Sequence, residues 1–222
     1  MIEKTVIISA GGIGKRMGAA IPKQFLNINS RPVLFHTIEK FYQFDANIQI
    51  IVVLPANQID YWKALCKKND FKVEHAIVKG GKERFFSVKN GLAVAKGEVI
   101  GVHDAVRPLV STRVINDCFA MALDKGAAIP VFDISESIRK VESSASVAVD
   151  RNNYKLVQTP QCFQSKILKA AYGLDYSDQF TDDASVVEKN GNQIHLIKGN
   201  EENIKITRPI DLRVAETLMR DE

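Results

Sequence analysis

Short apolar runs rich in β-branched residues alternate with segments of helical period over the first 132 residues of the chain. The strand-like runs lie at residues 5–10, 50–54, 73–78, 99–103 and 127–132, and the helical segments lie at residues 33–43, 57–68, 83–95 and 112–125. The run at residues 50–54 is apolar throughout, which is typical of a strand buried on both faces. The alternation therefore predicts an α/β fold of Rossmann-like type with three layers, in which helices cover both faces of a mostly parallel central sheet.

Two further helices are predicted near the end of the chain, where helical period returns after residue 166 and again after residue 211. Pro209 precedes the last of them and fits a first-turn position, where its missing N–H is not needed. Gly126 follows the helix predicted at residues 112–125 and fits a left-handed cap.

The length and composition predict one globular domain over residues 1–222. Of the 222 residues, 45% are hydrophobic and 25% are charged, which is ordinary for a protein with a sizeable core. Lys and Arg number 30 against 26 Asp and Glu, so the net charge is +4. This mild excess suits anionic small molecules and requires neither a nucleic-acid nor a membrane partner.

No apolar run approaches the length of a membrane span, and we expect no signal peptide. The three cysteines, Cys66, Cys118 and Cys162, lie far apart and form no CxxC pattern. These features predict a cytoplasmic protein with reduced thiols.

The strand and helix rhythm stops between residues 133 and 159, where polar and apolar residues alternate. This pattern predicts an extended β-arm that projects from the sheet. Because an isolated hairpin is only marginally stable in water, we expect the arm to pack on a second copy of the chain.

A glycine-rich turn, AGGIGKRMG at residues 10–18, directly follows the first predicted strand. Glycines there let backbone amides approach a phosphate. The dinucleotide fingerprint GxGxxG fails because Met17 stands at its third glycine, and the P-loop pattern fails because Arg16 follows Lys15. Cations accompany the turn, with Lys15 and Arg16 inside it and Lys23 shortly after. Glycines together with fixed positive charge favour a triphosphate site, since nucleotidyl transfer needs positioning and charge neutralisation.

The chain resembles the cytidylyltransferases that activate sugar-alcohol phosphates. The resemblance extends over essentially the whole chain and rests on motifs in the same order. They are GGxGxRMG at 11–18 with PKQFL at 22–26, GGxxRxxSV at 80–88, HDAVRP at 103–108, DR at 150–151, QTPQ at 158–161, TDDAS at 181–185 and NIKITxPxDL at 203–212. The best match is the branch that acts on 2-C-methyl-D-erythritol 4-phosphate in the non-mevalonate pathway to isoprenoids. It implies a nucleotidyltransferase that joins CMP from CTP to the acceptor phosphate and releases pyrophosphate.

The resemblance also implies roles for particular residues. Nucleotide binding falls to Ala10, Gly11, Gly12, Gly14, Gly81 and Ser87, and acceptor binding falls to Asp104, Arg107, Ser137 and Thr207. Arg16 and Lys23 would offset negative charge at the transition state. Arg151 and Lys205 would orient the acceptor phosphate, with Arg151 supplied by the partner subunit of a homodimer formed through residues 133–159. The Thr181–Asp182 pair is interpreted as a helix cap.

The resemblance implies a Mg²⁺ cofactor bound mainly through the phosphates of CTP, with Asp104 as a candidate ligand. The four histidines show no metal-ligand spacing and are interpreted as non-catalytic. Serine at position 137, in the stretch ESIR where the family has a threonine, together with Val106, leaves ribitol 5-phosphate open as the alternative acceptor.

Two interpretations from other classes remain as alternatives. A nicotinamide-dependent oxidoreductase predicts an acidic residue after the second strand, but the sequence there is LPAN at residues 54–57. A non-catalytic nucleotide or RNA binder predicts a basic face rich in aromatic residues, but aromatic residues are only 8% of the chain.

Overall fold

A computed structural model describes residues 3–11, 21–142 and 145–219 of the chain. Its strands are β1 Lys4–Ser9, β2 Asn27–Ile28, β3 Arg31–Pro32, β4 Gln49–Leu54, β5 Ala76–Lys79, β6 Val99–Asp104, β7 Ala127–Asp133, β8 Ile138–Glu142, β9 Ala145–Val149, β10 Lys155–Val157, β11 Gln161–Gln164 and β12 His195–Lys198. Its α-helices are α1 Val33–Phe44, α2 Ile59–Lys68, α3 Arg84–Leu92, α4 Thr112–Lys125, α5 Ser165–Ala171, α6 Asp183–Lys189 and α7 Pro209–Leu218.

The central sheet is mostly parallel, as predicted. Strands β6, β1, β4 and β5 are neighbours in that order and run parallel. On the other side of the sheet β12 pairs parallel with β7. Strand β11 lies between β6 and β7 and is antiparallel to both, and β10 also pairs antiparallel with β7. The antiparallel strands were not predicted, because β10 and β11 are only three and four residues long and each has only two apolar residues.

The alternating side chains of β1 show how the three layers form. Val6 and Ile8 join the core on the face covered by α1 and α4, whereas Ile7 joins the core on the face covered by α3 and α5. Successive side chains of a strand point to opposite faces, so an entirely apolar strand supplies both cores. The predicted α/β/α architecture is confirmed.

The predicted element ends agree with the structure in most places and differ in a few. Gly126 adopts a positive φ of 96° after α4, and its N–H donates to the Ala122 carbonyl at 2.8 Å. Pro209 is the first residue of α7. Strand β5 begins at Ala76, three residues later than predicted, because the first paired residues of the β4–β5 ladder are Ile51 and Ala76.

The predicted arm contains a separate two-stranded sheet formed by β8 and β9. Its apolar side chains are open to solvent, with Val141 73% and Val147 56% exposed. The paired hairpin is narrower than residues 133–159, because β7 extends to Asp133 and β10 pairs with that end of β7 in the main sheet. Residues 155–157 therefore belong to the main sheet, and the separate hairpin pairs Ile138–Glu142 with Ala145–Val149.

None of the helices in the described ranges combines the length and apolar character needed to cross a lipid bilayer.

Candidate active site

A cleft of about 300 Å³ lies where β1, β5 and β6 end. These strands belong to the parallel part of the sheet, so their carboxyl ends meet at one edge, the usual place for ligands in open α/β sheets. The cleft is lined by Ser9–Gly11 after β1, by residues 81–84 and Ser87 at the start of α3, by Asp104–Val106 after β6, and by Lys23, Gln24 and Lys205.

The backbone after β1 is held in place by a buried amide side chain. The N–H of Ala10 donates to the Val53 carbonyl at 2.9 Å. The carbonyl of Ala10 accepts from Gln24 Nε2 at 2.8 Å, and the same nitrogen donates to Gln58 Oε1 at 2.9 Å. Gln24 is 1% exposed. The start of the glycine-rich turn is thus fixed by the segment that carries Lys23.

Gly11 lines the cleft beside Ser87. Among the residues that the structure describes, a Cβ built on Gly11 would meet only Ser87 Oγ, at an ordinary contact distance of 3.8 Å. Glycine has no Cβ, so no side chain of its own covers its backbone on the cleft side.

The turn before α3 is closed by Ser87. The N–H of Gly81 donates to Ser87 Oγ at 3.1 Å, and that hydroxyl donates to the Glu83 carbonyl at 3.1 Å. A Cβ on Gly81 would stand 2.3 Å from Phe86 Cβ and 3.0 Å from the Phe86 carbonyl carbon, so only glycine fits there. The two predicted nucleotide-binding residues, Gly81 and Ser87, are thereby brought together on one wall of the cleft.

Asp104 is the centre of the charged part of the cleft. Its Oδ2 atom accepts from Arg107 Nε at 3.1 Å and lies 3.0 Å from Lys205 Nζ. Burial alone would raise the pKa of Asp104, but the surrounding cations lower it well below its usual value. In decreasing order of effect these cations are Lys205, Arg84 and Arg107. Asp104 is therefore an anion at neutral pH, held among positive charges.

Lys23 and Lys205 approach the cleft from different parts of the chain. Lys23 belongs to a short 3-10 helix, Lys23–Phe25, and its Nζ donates to the Ile206 carbonyl at 3.1 Å. Because Ile206 follows Lys205, this contact ties the two lysine-bearing segments together. The cleft lining has four cations against two carboxylates, which makes it suited to anionic ligands. The cations are Lys23, Lys82, Arg84 and Lys205, and the carboxylates are Glu83 and Asp104.

His103 is fully buried behind Asp104 and is neutral. Its Nε2 lies 3.0 Å from the Arg107 carbonyl, which can only accept, so Nε2 carries the proton. Its Nδ1 then accepts from the Thr159 hydroxyl at 3.0 Å, and that oxygen accepts from the Asp104 N–H at 3.1 Å. Burial lowers the pKa of His103 to about 4. His103 lies behind the cleft wall, where it supports the backbone on either side of Asp104.

The structure brings many of the predicted site residues to the cleft. Ala10, Gly11, Lys23, Gly81, Ser87, Asp104 and Lys205 line it. Arg107 braces it from behind, because its guanidinium also donates to the Asn203 carbonyl at 2.7 Å. Gly12, Gly14 and Arg16 lie outside the described residues.

Three predicted residues are not among those that line this cleft in their own chain. The Thr207 N–H and hydroxyl donate to Asp211 Oδ2 at 2.7 and 3.0 Å and thereby cap α7. Ser137 is exposed just before β8. Arg151 is exposed in a 3-10 turn, where its guanidinium donates to the Ser135 carbonyl.

Sequence reasoning gave no role to Arg84, although it stands in the GGxxRxxSV motif and lines the cleft. Its partner Asp183 was likewise given no separate role within the TDDAS motif, whereas the cap interpretation of Asp182 is confirmed. Asp182 accepts from the Ser185 N–H at 2.9 Å at the start of α6. The pairing of residues 99 positions apart leaves no signal in sequence spacing.

The described residues contain no group of three or more His, Cys, Asp or Glu side chains that could hold a metal ion. The cleft lining holds two carboxylates, Glu83 and Asp104, and the Asp104 Oδ2 atom is shared with Arg107 and Lys205. Magnesium in phosphate-transfer sites is often held by one or two carboxylates together with substrate phosphates. The donor set fits an ion held mainly by a nucleotide.

Comparison with known proteins identifies the family. The family profile of 2-C-methyl-D-erythritol 4-phosphate cytidylyltransferase (IspD) matches residues 4–221. The chain belongs to this family. Proteins of that name from Phocaeicola vulgatus and Bacteroides fragilis are 54% and 52% identical to it, over 98% and 97% of this chain and 100% and 99% of theirs. The crystal structure of the family member from Thermus thermophilus superimposes with a TM-score of 0.80 at 30% identity, covering 98% of this chain and 99% of that one.

Membership of the family makes the chain a cytidylyltransferase, and therefore a nucleotidyltransferase. The oxidoreductase and the non-catalytic binder are set aside by this finding. The resemblance stated from the motifs is confirmed.

Proposed function

We propose that this chain transfers CMP from CTP to 2-C-methyl-D-erythritol 4-phosphate, giving 4-diphosphocytidyl-2-C-methyl-D-erythritol and pyrophosphate. The names of the similar proteins support this acceptor over ribitol 5-phosphate. The observation that carries the proposal is the cleft itself, which Gly11, the Gly81–Ser87 turn, Lys23, Lys205 and the charged Asp104 line together.

The nucleotide would lie between the turn after β1 and the turn before α3. Gly11 and the predicted residues Gly12 and Gly14 would offer backbone N–H groups to the triphosphate. Gly81 and Ser87 would contact the cytosine base, and a backbone carbonyl there can accept from its exocyclic amine. That amine distinguishes cytosine from uracil, which carries a carbonyl at the same position.

The reaction needs no side-chain nucleophile. An oxygen of the acceptor phosphate attacks the α-phosphorus of CTP, a new P–O bond forms, and the bond from the α-phosphorus to the bridging oxygen breaks. The electron pair leaves with pyrophosphate. Because the attacking oxygen is already anionic, no strong base is required, and the main obstacle is repulsion between two anions. Lys23, with Arg16, would offset that repulsion most strongly in the transition state.

Asp104 and Arg107 would bind the acceptor. Asp104 remains ionised among its cations and can accept from polyol hydroxyls. Lys205 lies 3.0 Å from Asp104 and would orient the acceptor phosphate. Holding the acceptor phosphate against the α-phosphorus converts a bimolecular encounter into a positioned one.

Magnesium fits this cleft as an ion that arrives with the nucleotide. When bound it would neutralise charge on the phosphate oxygens, with Asp104 as the protein ligand within the described residues.

A homodimer would complete the site. The β8–β9 hairpin exposes Val141 and Val147, and Arg151 and Ser137 flank the hairpin. Arg151 and Ser137 do not line the cleft of their own chain. We therefore propose that the hairpin packs on a second subunit and brings Arg151 to the acceptor site of that subunit. Thr207 is proposed to contact the acceptor beside Lys205. We place the enzyme in the cytoplasm, in the non-mevalonate pathway.

The test is turnover by the purified protein with Mg²⁺, following pyrophosphate release. CTP is compared with ATP, UTP and GTP, and 2-C-methyl-D-erythritol 4-phosphate is compared with ribitol 5-phosphate. The proposal expects turnover with CTP and the erythritol phosphate to exceed every other pair. Faster turnover with ribitol 5-phosphate, or equal use of UTP, contradicts it.

A further inference from the structure

Arg84 occupies a place on the cleft wall that the mechanism above does not use. It is the first residue of α3, and it stands within the turn that Gly81 and Ser87 close. Its side chain lines the cleft and is 33% exposed. A cationic side chain that lines the cleft with one third of its surface open can be reached by a molecule that enters it.

The guanidinium is locked by a buried carboxylate. Its Nη1 and Nη2 atoms donate to Asp183 Oδ1 at 2.9 Å and Oδ2 at 2.5 Å. Asp183 is fully buried, and its Oδ1 also accepts from the Tyr172 hydroxyl at 2.6 Å. The Tyr172 ring is stacked on Phe85 with the centroids 4.7 Å apart. Two parallel bonds fix both the position and the plane of the Arg84 fork.

Helix α6, which carries the Asp183 carboxylate, is in turn anchored to the sheet. Asp182 caps α6, the helix that begins at Asp183, and its Oδ2 accepts from Gln161 Nε2 at 2.7 Å. Gln161 Oε1 accepts from the Ala184 N–H at 2.9 Å. Gln161 lies in β11, opposite Val102 of β6. The TDDAS motif therefore connects the wall that carries Arg84 with the strand that carries Asp104.

Stability alone is a poor reason for this arrangement. An ion pair to a fully buried carboxylate contributes little compared with apolar residues of the same volume, because that carboxylate loses its hydration. Arg has five N–H donors, and Asp183 takes two of them. Within the described parts of the chain the other three have no hydrogen-bond acceptor. They are suited to oxygen acceptors of a nucleotide, whether phosphate, ribose hydroxyl or cytosine carbonyl.

We propose that Arg84 is a nucleotide-binding residue and that Asp183 and Tyr172 are positioning residues, which hold the Arg84 guanidinium ready on the wall of the cleft. This inference rests on the proposed binding of CTP in that cleft. If residue 183 is uncharged, the Arg84 guanidinium keeps its own charge but loses its fixed orientation. Asp104 is then the carboxylate with the largest remaining electrostatic attraction for Arg84.

The experiment measures the Kd for CTP by calorimetry, and kcat and KM for each substrate, in wild type, Arg84→Met, Arg84→Lys, Asp183→Asn and Tyr172→Phe. We expect Arg84→Met and Asp183→Asn to raise the Kd for CTP about tenfold, the scale of one lost charge-assisted hydrogen bond. Arg84→Lys restores part of the affinity, and Tyr172→Phe has a smaller effect of about threefold. The KM for the acceptor at saturating CTP stays within twofold of wild type.

Arg31→Met is the matched control. Arg31 also forms two bonds to a carboxylate, Glu39, at 3.0 and 2.6 Å, but it does not line the cleft. Its Kd for CTP should equal that of wild type.

Folded Arg84 and Asp183 variants that bind CTP within twofold of wild type, even with a lowered melting temperature, would show a structural brace only and overturn the inference. If Arg84→Met or Asp183→Asn does not fold, Arg84→Lys and Tyr172→Phe decide in the same way. Wild-type protein that fails to bind CTP overturns the proposed function, and this inference with it.

Discussion

Replacement of His103 by Gln should make the stability of the protein less dependent on pH. His103 is fully buried and neutral, with a pKa of about 4, while an unfolded histidine has a value near 6.5. The unfolded chain therefore binds one more proton between these values, so wild type loses stability as pH falls through this window. Asp104 opposes the lowered pKa, whereas Arg107 and Lys205 strengthen it.

The size of the effect follows from the two pKa values. Relative to pH 7.5, His103 should cost wild type about 1 kcal/mol at pH 5.5 and about 2–3 kcal/mol at pH 4.5. Gln does not titrate, so His103→Gln lacks this loss, although it will be less stable at pH 7.5 through lost hydrogen bonds to Thr159 and Arg107.

The assay is urea unfolding of both proteins at four pH values and one protein concentration. The quantity compared is the change in the free energy of unfolding between pH 7.5 and pH 4.5. His36 and His75, whose pKa values are also lowered by burial, remain in both proteins and cancel in the comparison. Identical pH dependence in the two proteins would refute the assignment of His103 as the buried neutral histidine.

Four shorter predictions address the cleft and the arm. Lys23→Ala should lower kcat by about 10²–10³-fold, the usual scale for one lost electrostatic stabiliser, and near-normal turnover would reject its role. Arg151→Ala should raise the KM for the acceptor or lower kcat while the Kd for CTP is unchanged, and loss of CTP binding instead would contradict the assignment. Gly81→Ala should raise the KM for CTP more than the KM for the acceptor, because the new Cβ would stand 2.3 Å from Phe86 Cβ and displace the turn; unchanged kinetics would count against that turn as a base contact. Removal of divalent cations with EDTA should abolish turnover until Mg²⁺ is restored, and full activity in EDTA would rule out the ion.

The alternation of apolar runs and helical periods predicted most of the sheet, because strands buried on both faces and amphipathic helices leave strong local patterns. β1, β4 and β6 lie where the pattern placed them. The antiparallel β11 was missed, because its four residues, QCFQ, carry too few apolar positions to stand out from a loop.

The site was predicted in part, and the limit is again physical. Gly81, Ser87 and Asp104 stand in motifs beside strand ends, so chain order alone brings them to one edge. The contact between Arg84 and Asp183 joins the first residue of α3 to the first residue of α6, and no local sequence pattern encodes it. In the proposed dimer, the positions of Arg151 and Ser137 relative to the cleft would depend on how two subunits pack together. The spacing of residues in the sequence does not encode that packing.

The placement of β11 has a consequence for synthesis of the protein on the ribosome. β6 and β7 are made first, yet the strand that fills the gap between them comes almost thirty residues after β7 ends. A nascent chain that stops before residue 161 leaves one edge of β6 open, and open strand edges invite pairing with other chains. The Asp104 N–H also lacks its hydrogen-bond acceptor, the Thr159 hydroxyl, until the segment that leads into β11 has been made. The gap in the sheet between β6 and β7 is therefore filled only when residues 159–164 have been made. A chain truncated before residue 161 should aggregate and should not fold into a smaller active enzyme.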